Sequence, residues 1–190
     1  MRACLLPIAV LCLPTAFLRA GPYVTVSSGA ATVQTWVIGT ENLRRESVSL
    51  GYGFTDPLAV EVSFFRIADA SGDTGPSPGT HSDTFFTEKL RGIAIGPVLR
   101  ARLAEGLTIF LKASYTSLRD DVSSMTEGVY AQYWSHSLTT ISGWQPAVGL
   151  SFRLSKRVPL GLGAEMNQVF MSNDRVKELR SVLLDLSYGF

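Results

Sequence analysis

The sequence has little that would support thiol chemistry or binding to an acidic polymer. Its only two cysteines, Cys4 and Cys12, lie near the start, so the rest of the chain has no thiol for a disulfide, a metal site or a nucleophile. Only 17% of the residues are charged, and 17 basic and 16 acidic residues leave a formal net charge of +1. Because nucleic-acid binding needs a basic stripe, we expect no nucleic-acid partner.

Long apolar runs are also missing beyond the first segment, so we expect no membrane-spanning helix there. The first segment, MRACLLPIAVLCLPTAFLRA, has a basic start and an apolar stretch that Pro7 and Pro14 interrupt. This pattern predicts a secretory signal peptide over residues 1–20, with cleavage after Ala20 or after Ala16. The alternative is an uncleaved N-terminal anchor. Residues 21–190 would then form one domain.

Alternation of apolar and small or polar residues recurs along that domain. Alternation with a period of two is typical of β-strands with two different faces. It predicts an all-β fold of eight antiparallel strands, over residues 22–33, 46–54, 58–65, 92–103, 107–115, 143–154, 160–166 and 182–190.

The predicted connections alternate in length. Tight turns fall near residues 55–57, 104–106 and 155–159, and longer loops near residues 34–44, 67–87, 116–140 and 171–177. Consecutive strands joined in this way predict an up-and-down barrel.

The alternation does not by itself decide whether the apolar face points into a core, as in a lipocalin-like soluble barrel, or out into lipid. The opposite face is rich in Gly, Ser, Ala and Thr, and these suit a narrow lumen. Aromatic residues also fall near both ends of the apolar face, as in the two interfacial girdles of an outer-membrane barrel. Both features favour an apolar face in lipid. The aromatic residues are Phe54, Phe152, Tyr188 and Phe190 at the tight-turn end and Phe64, Tyr115 and Trp144 at the other.

Five charged residues on the small-residue face fall at similar distances from the tight turns. We expect them to lie at one level of the lumen and to neutralise each other, because the same charges facing lipid would be very costly. These residues are Glu61, Arg100, Lys112, Glu165 and Asp185.

The last strand carries a family resemblance. VLLDLSYGF alternates and ends with Leu186, Tyr188 and Phe190 on the apolar face. This resembles the C-terminal signature of bacterial outer-membrane proteins, and the whole domain resembles the small OmpA-type, OmpX-type and opacity-like barrels. The resemblance implies a Gram-negative outer membrane, contact with its lipid and lipopolysaccharide, and recognition of the last strand by the barrel assembly machinery. It implies periplasmic termini and four external loops.

Two prolines lie within predicted strands. Pro97 and Pro146 each remove a donor from the hydrogen-bonded ladder. We expect a local bulge or a distorted ladder at each, with a shift of phase that could turn Arg100 or Arg153 to the other face.

The only catalytic hint is the segment WSHSLTT, in which His136 lies between two serines. Neighbouring residues of a strand point to opposite faces, so neither serine can form a nucleophile–base pair with His136 there. Lipid A deacylases have a His-x-Ser pattern, and this chain resembles them only weakly, because the residue two positions after His136 is Leu138 and not a serine. His81 has no metal-ligand spacing around it, and the sequence predicts no metal and no cofactor.

The third long loop is the best candidate for a partner surface. Its aromatic residues Tyr130, Tyr133 and Trp134 would either bind an extracellular partner or pack on the barrel rim among the headgroups. We therefore expect a non-catalytic structural or surface-interaction protein. The alternatives are a lipid A-modifying hydrolase that uses His136, and a narrow channel for ions or small solutes.

Overall fold

The computed structural model describes residues 21–35, 37, 39–74, 83–128, 131–155, 158–172 and 176–190. The predicted signal peptide and His81 lie outside these ranges, so their predictions stay untested. The described residues form nine strands: β1 (Gly21–Thr35), β2 (Gly39–Thr55), β3 (Leu58–Ile67), β4 (Ala70–Thr74), β5 (Asp83–Ala104), β6 (Leu107–Glu127), β7 (Gln132–Arg153), β8 (Leu160–Met171) and β9 (Val176–Gly189).

The strands close into a ring. Consecutive strands pair antiparallel, except that β3 and β4 do not pair with each other and both pair with β5. β1 also pairs with β9. The short β4 therefore continues the position of β3 after a break at Ala68 and Asp69, and the ring has eight strands. The predicted eight-stranded up-and-down barrel is confirmed.

The three tight turns lie where the sequence predicts them, between β2 and β3, β5 and β6, and β7 and β8. We call this the turn end, and the opposite end the loop end. The long connections are shorter than predicted, because most of residues 34–44, 67–87 and 116–140 continue the strands. The polar residues there hid the alternation, since strands that leave lipid no longer need an apolar outer face.

The apolar face points outward. Residues of both predicted girdles are exposed, from Phe152 and Phe190 at the turn end to Trp144 toward the loop end. Tyr115 and Trp144 meet edge to face, with ring centroids 5.9 Å apart. A barrel with this continuous apolar belt on its outside is a transmembrane barrel. A lipocalin-like arrangement, with the apolar residues inside, is excluded.

The ladder is interrupted at both prolines, as predicted, but the phase of the strands does not shift. The β5–β6 ladder has no paired residues at Gly96 and Pro97, yet it resumes in the same register, from Ile95↔Tyr115 to Val98↔Lys112. At Pro146 the β7–β8 ladder is likewise interrupted and resumes unchanged. Each proline stays paired on its other side, to Val60 or to Ala113, and this pairing holds the strand in phase.

The small-residue pattern predicts a lumen that is polar along its whole length, and this prediction is wrong. At the loop end the lumen's inward residues form an apolar core, and Val33, Leu118 and Leu179 are completely buried there. The same strands present charged residues such as Arg66 and Arg119 outward at that level. The loop end is therefore built like a soluble protein, with a core of Ala31, Val33, Phe65, Ile67, Leu90, Ala94, Leu118, Ile141, Val169, Val176 and Leu179.

Among the described residues there is no helix of sufficient length and hydropathy to cross a membrane.

Candidate functional site

The lumen inside the apolar belt holds a charge network centred on Lys112. Its ammonium nitrogen lies 2.7 Å from Glu61 Oε1 and 2.7 Å from Glu165 Oε2. These three residues lie on β6, β3 and β8, so one cation links strands from different sides of the barrel. Ser63 Oγ donates to the same Glu61 Oε1 atom, and Asn167 Nδ2 donates to the other carboxylate oxygen of Glu165, Oε1. Because the network is buried, removing one partner leaves an uncompensated charge, which costs far more than breaking a surface ion pair.

The other two predicted members lie beside this triad without an ion pair to it. Arg100 stacks over the ring of Tyr23, at 4.3 Å from its centroid, and the Tyr23 hydroxyl donates to Glu61 Oε2 at 3.0 Å. Asp185 is buried opposite Ser27 on β1, and its Oδ1 atom has no hydrogen-bond partner among the described residues. Tyr23 is therefore the link that the sequence analysis missed.

Arg45 is a second hub that the sequence analysis did not single out. It is 1% exposed, and its Nη1 atom donates to Asn167 Oδ1 at 2.8 Å and to Ser181 Oγ at 2.9 Å. Its guanidinium also lies 4.2 Å from the centroid of the Phe65 ring, which belongs to the apolar core. Arg45 therefore joins the polar part of the lumen to the apolar part. The available signal was its inward phase, one residue before the predicted second strand.

A pair of buried carboxyl groups lies at the loop end, beyond the apolar belt. Glu88 and Asp120 are 2% and 1% exposed, and their carboxyl groups lie close enough to interact. Thr35 Oγ1 donates to Glu88 Oε2 at 2.8 Å. Burial raises the pKa of Glu88 to about 7. The hydrogen bond from Thr35 partly offsets this rise, and the neighbouring carboxyl group of Asp120 adds to it. The pair therefore retains a proton near neutral pH.

The C-terminal strand lies as the alternation predicts. Leu186, Tyr188 and Phe190 are exposed on the belt, and Tyr188 and Phe190 meet edge to face at 5.1 Å. β9 pairs with both β1 and β8 and so closes the ring. Recognition of this strand by an assembly machinery stays a prediction.

Strands β5, β6 and β7 continue past the belt as a projecting sheet. Trp134 on β7 is 75% exposed and lies in register with Met125 on β6, which lies in register with Phe85 on β5. We call these three residues the loop-end patch. Neighbouring Tyr133 is 68% exposed and points to the opposite side of the sheet. The third predicted contact, Tyr130, lies outside the described residues.

His136 lies on the outer side of this sheet and is exposed. Its Nδ1 atom lies 3.4 Å from Asp121 Oδ1, and Ser123 is its direct partner on β6. The serines next to it in sequence, Ser135 and Ser137, point to the other side. The described residues contain no hydrogen bond between His136 and Ser123, and no group of three His, Cys, Asp or Glu residues that could hold a metal ion.

Comparisons with known proteins agree with this architecture. No family model and no curated protein sequence matches the chain. Among solved structures, the attachment invasion locus protein Ail of Yersinia pestis is 16% identical, with a TM-score of 0.56 over 90% of this chain and 100% of that one. Neisserial surface protein A is 18% identical, with a TM-score of 0.50 over 90% of this chain and 98% of that one. The chain thus has the fold of the small eight-stranded outer-membrane β-barrels.

Proposed function

We propose that the protein is a non-catalytic surface-interaction barrel that binds an extracellular protein partner through the loop-end patch. The observation that carries this proposal is the exposure of Trp134, at 75%, next to Met125 and Phe85 on one face of the projecting sheet. Neighbouring apolar side chains that are exposed together mark an interaction surface, and tryptophan is a frequent anchor of binding energy.

The height of Trp134 argues against the alternative that it anchors the rim in the headgroups. Trp134 and the girdle residue Trp144 lie on the same strand, ten positions apart (144 − 134). At ~2.5 Å of axial rise per residue this is about 25 Å, well beyond an interfacial girdle. Trp134 is also too exposed to be packed on the rim. A partner-binding role explains both observations.

The proposal is tested with whole cells that display the barrel, which are probed on immobilised extracellular-matrix and serum proteins. We expect Trp134→Ala to lower binding roughly tenfold, as for the loss of a central anchor. Tyr133→Ala is the matched control, because it removes an equally exposed aromatic side chain from the opposite face of the same strand. Equal losses in both variants, or no binding by the wild type, would contradict the proposal.

A channel role has less support. Inside the belt the lumen is polar, but toward the loop end a solute would meet the apolar core around Val33, Leu118 and Leu179. An ion cannot cross such a layer without losing its hydration. The lumen network then serves to fill and stabilise the barrel.

A hydrolase role also has less support, although Asp121, His136 and Ser123 lie in the order of a catalytic triad. A nucleophile needs its base within hydrogen-bond reach, and donors for the oxyanion beside it. Here the serine is not hydrogen bonded to His136, and the ladder between β6 and β7 uses the nearby backbone donors. His136 is 58% exposed at its side chain, which leaves the base in water.

A further inference from the structure

Three arginines lie side by side on the outer surface, just beyond the apolar belt. Arg66 on β3 is in register with Arg91 on β5, and Arg91 is in register with Arg119 on β6. All three are exposed and point away from the lumen. Like charges directly opposite each other on neighbouring strands repel, so the row destabilises the sheet unless an anion neutralises it.

The protein neutralises only one end of this row. Glu46 on β2 forms an ion pair with Arg66, at 2.7 Å, and with Arg44, at 2.9 Å. Within the described ranges, no carboxylate lies within ion-pair distance of Arg91 or Arg119. Asp121, which lies beyond Arg119 on β6, pairs instead with His136. Arg91 and Arg119 are therefore open to an external anion.

The two arginines also share a surface depression of about 210 Å³, which is lined by Lys89, Arg91, Arg119 and Asp121. Three cations face one acid there. Lys89 has only a long contact to another carboxylate, 3.7 Å from Asp69, with both side chains exposed. Such an exposed pair contributes little and yields easily to a better anion. The depression therefore carries a net positive charge.

The level of this depression along the barrel axis, relative to the apolar belt, indicates what kind of ligand it binds. Arg91 lies directly beyond Ile93, which is 48% exposed and is the last apolar residue of the belt on β5. On β6 the belt ends at Tyr115, shortly before Arg119. The phosphate groups of lipids lie immediately beyond the hydrocarbon region of a bilayer, and so at the level of the arginine row.

We propose that Lys89, Arg91 and Arg119 form a binding site for the anionic phosphate headgroup of a membrane lipid in the leaflet at the loop end. The guanidinium groups of Arg91 and Arg119 can each donate two hydrogen bonds to phosphate oxygens, and the lysine adds a point charge. A phosphate between the two arginines replaces their repulsion with attraction. The site is independent of the loop-end patch, so either proposal can fail alone.

The test uses the full chain in phosphatidylcholine vesicles that contain either lipid A with both phosphates or its fully dephosphorylated form. After extraction, native mass spectrometry counts the lipid A retained by each barrel. We expect the wild type to retain the phosphorylated form and the double variant Arg91→Gln/Arg119→Gln to retain roughly tenfold less, as for the loss of charge-assisted hydrogen bonds.

The matched control is Arg102→Gln/Arg153→Gln, which removes the same charge from exposed positions at the turn end. It should retain lipid A as the wild type does, and equal losses in both double variants would overturn the site. Equal retention of the dephosphorylated form would also overturn it. Binding of inorganic phosphate by the wild type, together with equal retention of both forms of lipid A, would show that the site takes a soluble phosphate instead, which contradicts a lipid ligand.

Discussion

Single residues decide the polarity of each part of the interior. Arg45 hydrogen bonds to Asn167 and Ser181 on one side and stacks on Phe65 on the other, so it closes the polar lumen against the apolar core. Lys112 balances two carboxylates within the belt, and the pair of Glu88 and Asp120 has to share a proton within the core. We therefore expect changes at these groups to alter the stability of the barrel.

The carboxyl pair predicts that the barrel is more stable in acid than at neutral pH. The folded protein holds the pKa of Glu88 at about 7, above its value of 4.5 in an unfolded chain, so the folded state binds more protons between these values. Stability must therefore fall as the pH rises through this window, by ~1–3 kcal/mol. Urea unfolding in detergent micelles at about pH 5 and about pH 8 measures the effect.

The variant Glu88→Gln is the control for this prediction, because it keeps the shape of the side chain and cannot ionise. The unfolding free energy of this variant should differ much less between the two pH values than that of the wild type. Glu41, the other acid that acts on Glu88, remains in this variant. An unchanged pH dependence in Glu88→Gln would contradict the assignment to the buried pair.

The Lys112 network predicts a large loss when only its cation is removed. Lys112→Met leaves Glu61 and Glu165 buried without compensation, which should cost about 3–5 kcal/mol of unfolding free energy. The triple variant Glu61→Gln/Lys112→Met/Glu165→Gln should recover most of this loss, because no uncompensated charge remains. Urea unfolding in lipid vesicles measures both, and a loss below ~1 kcal/mol in Lys112→Met would exclude a stabilising network.

At the scale of the elements, the projecting end of β6 and β7 is separable from the barrel. The buried apolar residues of these strands at the loop end are Leu118 and Ile141, which lie well below the tip of the hairpin. Val122 and Ser137 are direct partners on the two strands, so a tight turn can join them. The tip displays side chains on a fixed support and contributes little to the core.

Replacing residues 123–136 with an Asn-Gly turn should therefore leave the barrel folded. We expect a change in unfolding free energy of about 1 kcal/mol or less, because the removed segment buries few apolar groups. Leu118→Ala is the contrasting variant, since it opens a cavity in the core and should cost ~2–5 kcal/mol. A shortened hairpin that fails to shift mobility on a gel between unboiled and boiled samples would show that the tip is needed for folding.

At the scale of the whole molecule, the two layers of the lumen predict a closed barrel. In planar lipid bilayers we expect no stable conductance from the purified protein, because the apolar core excludes water from the path of an ion. Faster migration of the unboiled protein on a gel would verify that the sample is a folded barrel. Conductance from such a sample would show that the core around Leu118 opens.

Much of this architecture could be predicted from the sequence. The alternation gave the eight strands and the three tight turns, and it placed Glu61, Lys112 and Glu165 on the inner face, where the structure brings them together. The apolar core at the loop end did not follow from the alternation, because the apolar side chains change from the outer face to the inner face along each strand. Arg45 and Tyr23 were missed for a related reason, since only pairing across the lumen gives them their partners.

The change of interior from polar to apolar also records where the membrane surface lies. On β6, Leu111 and Tyr115 face outward, and then Leu118 faces inward and Arg119 outward, without any change of register. On β3, Phe64 faces outward, and then Phe65 and Ile67 face inward. On these strands, the residue at which the apolar side chains change from the outer face to the inner face thus marks the level of the membrane surface. The same change can be located from the amino-acid sequence of any barrel whose strands are longer than the bilayer is thick.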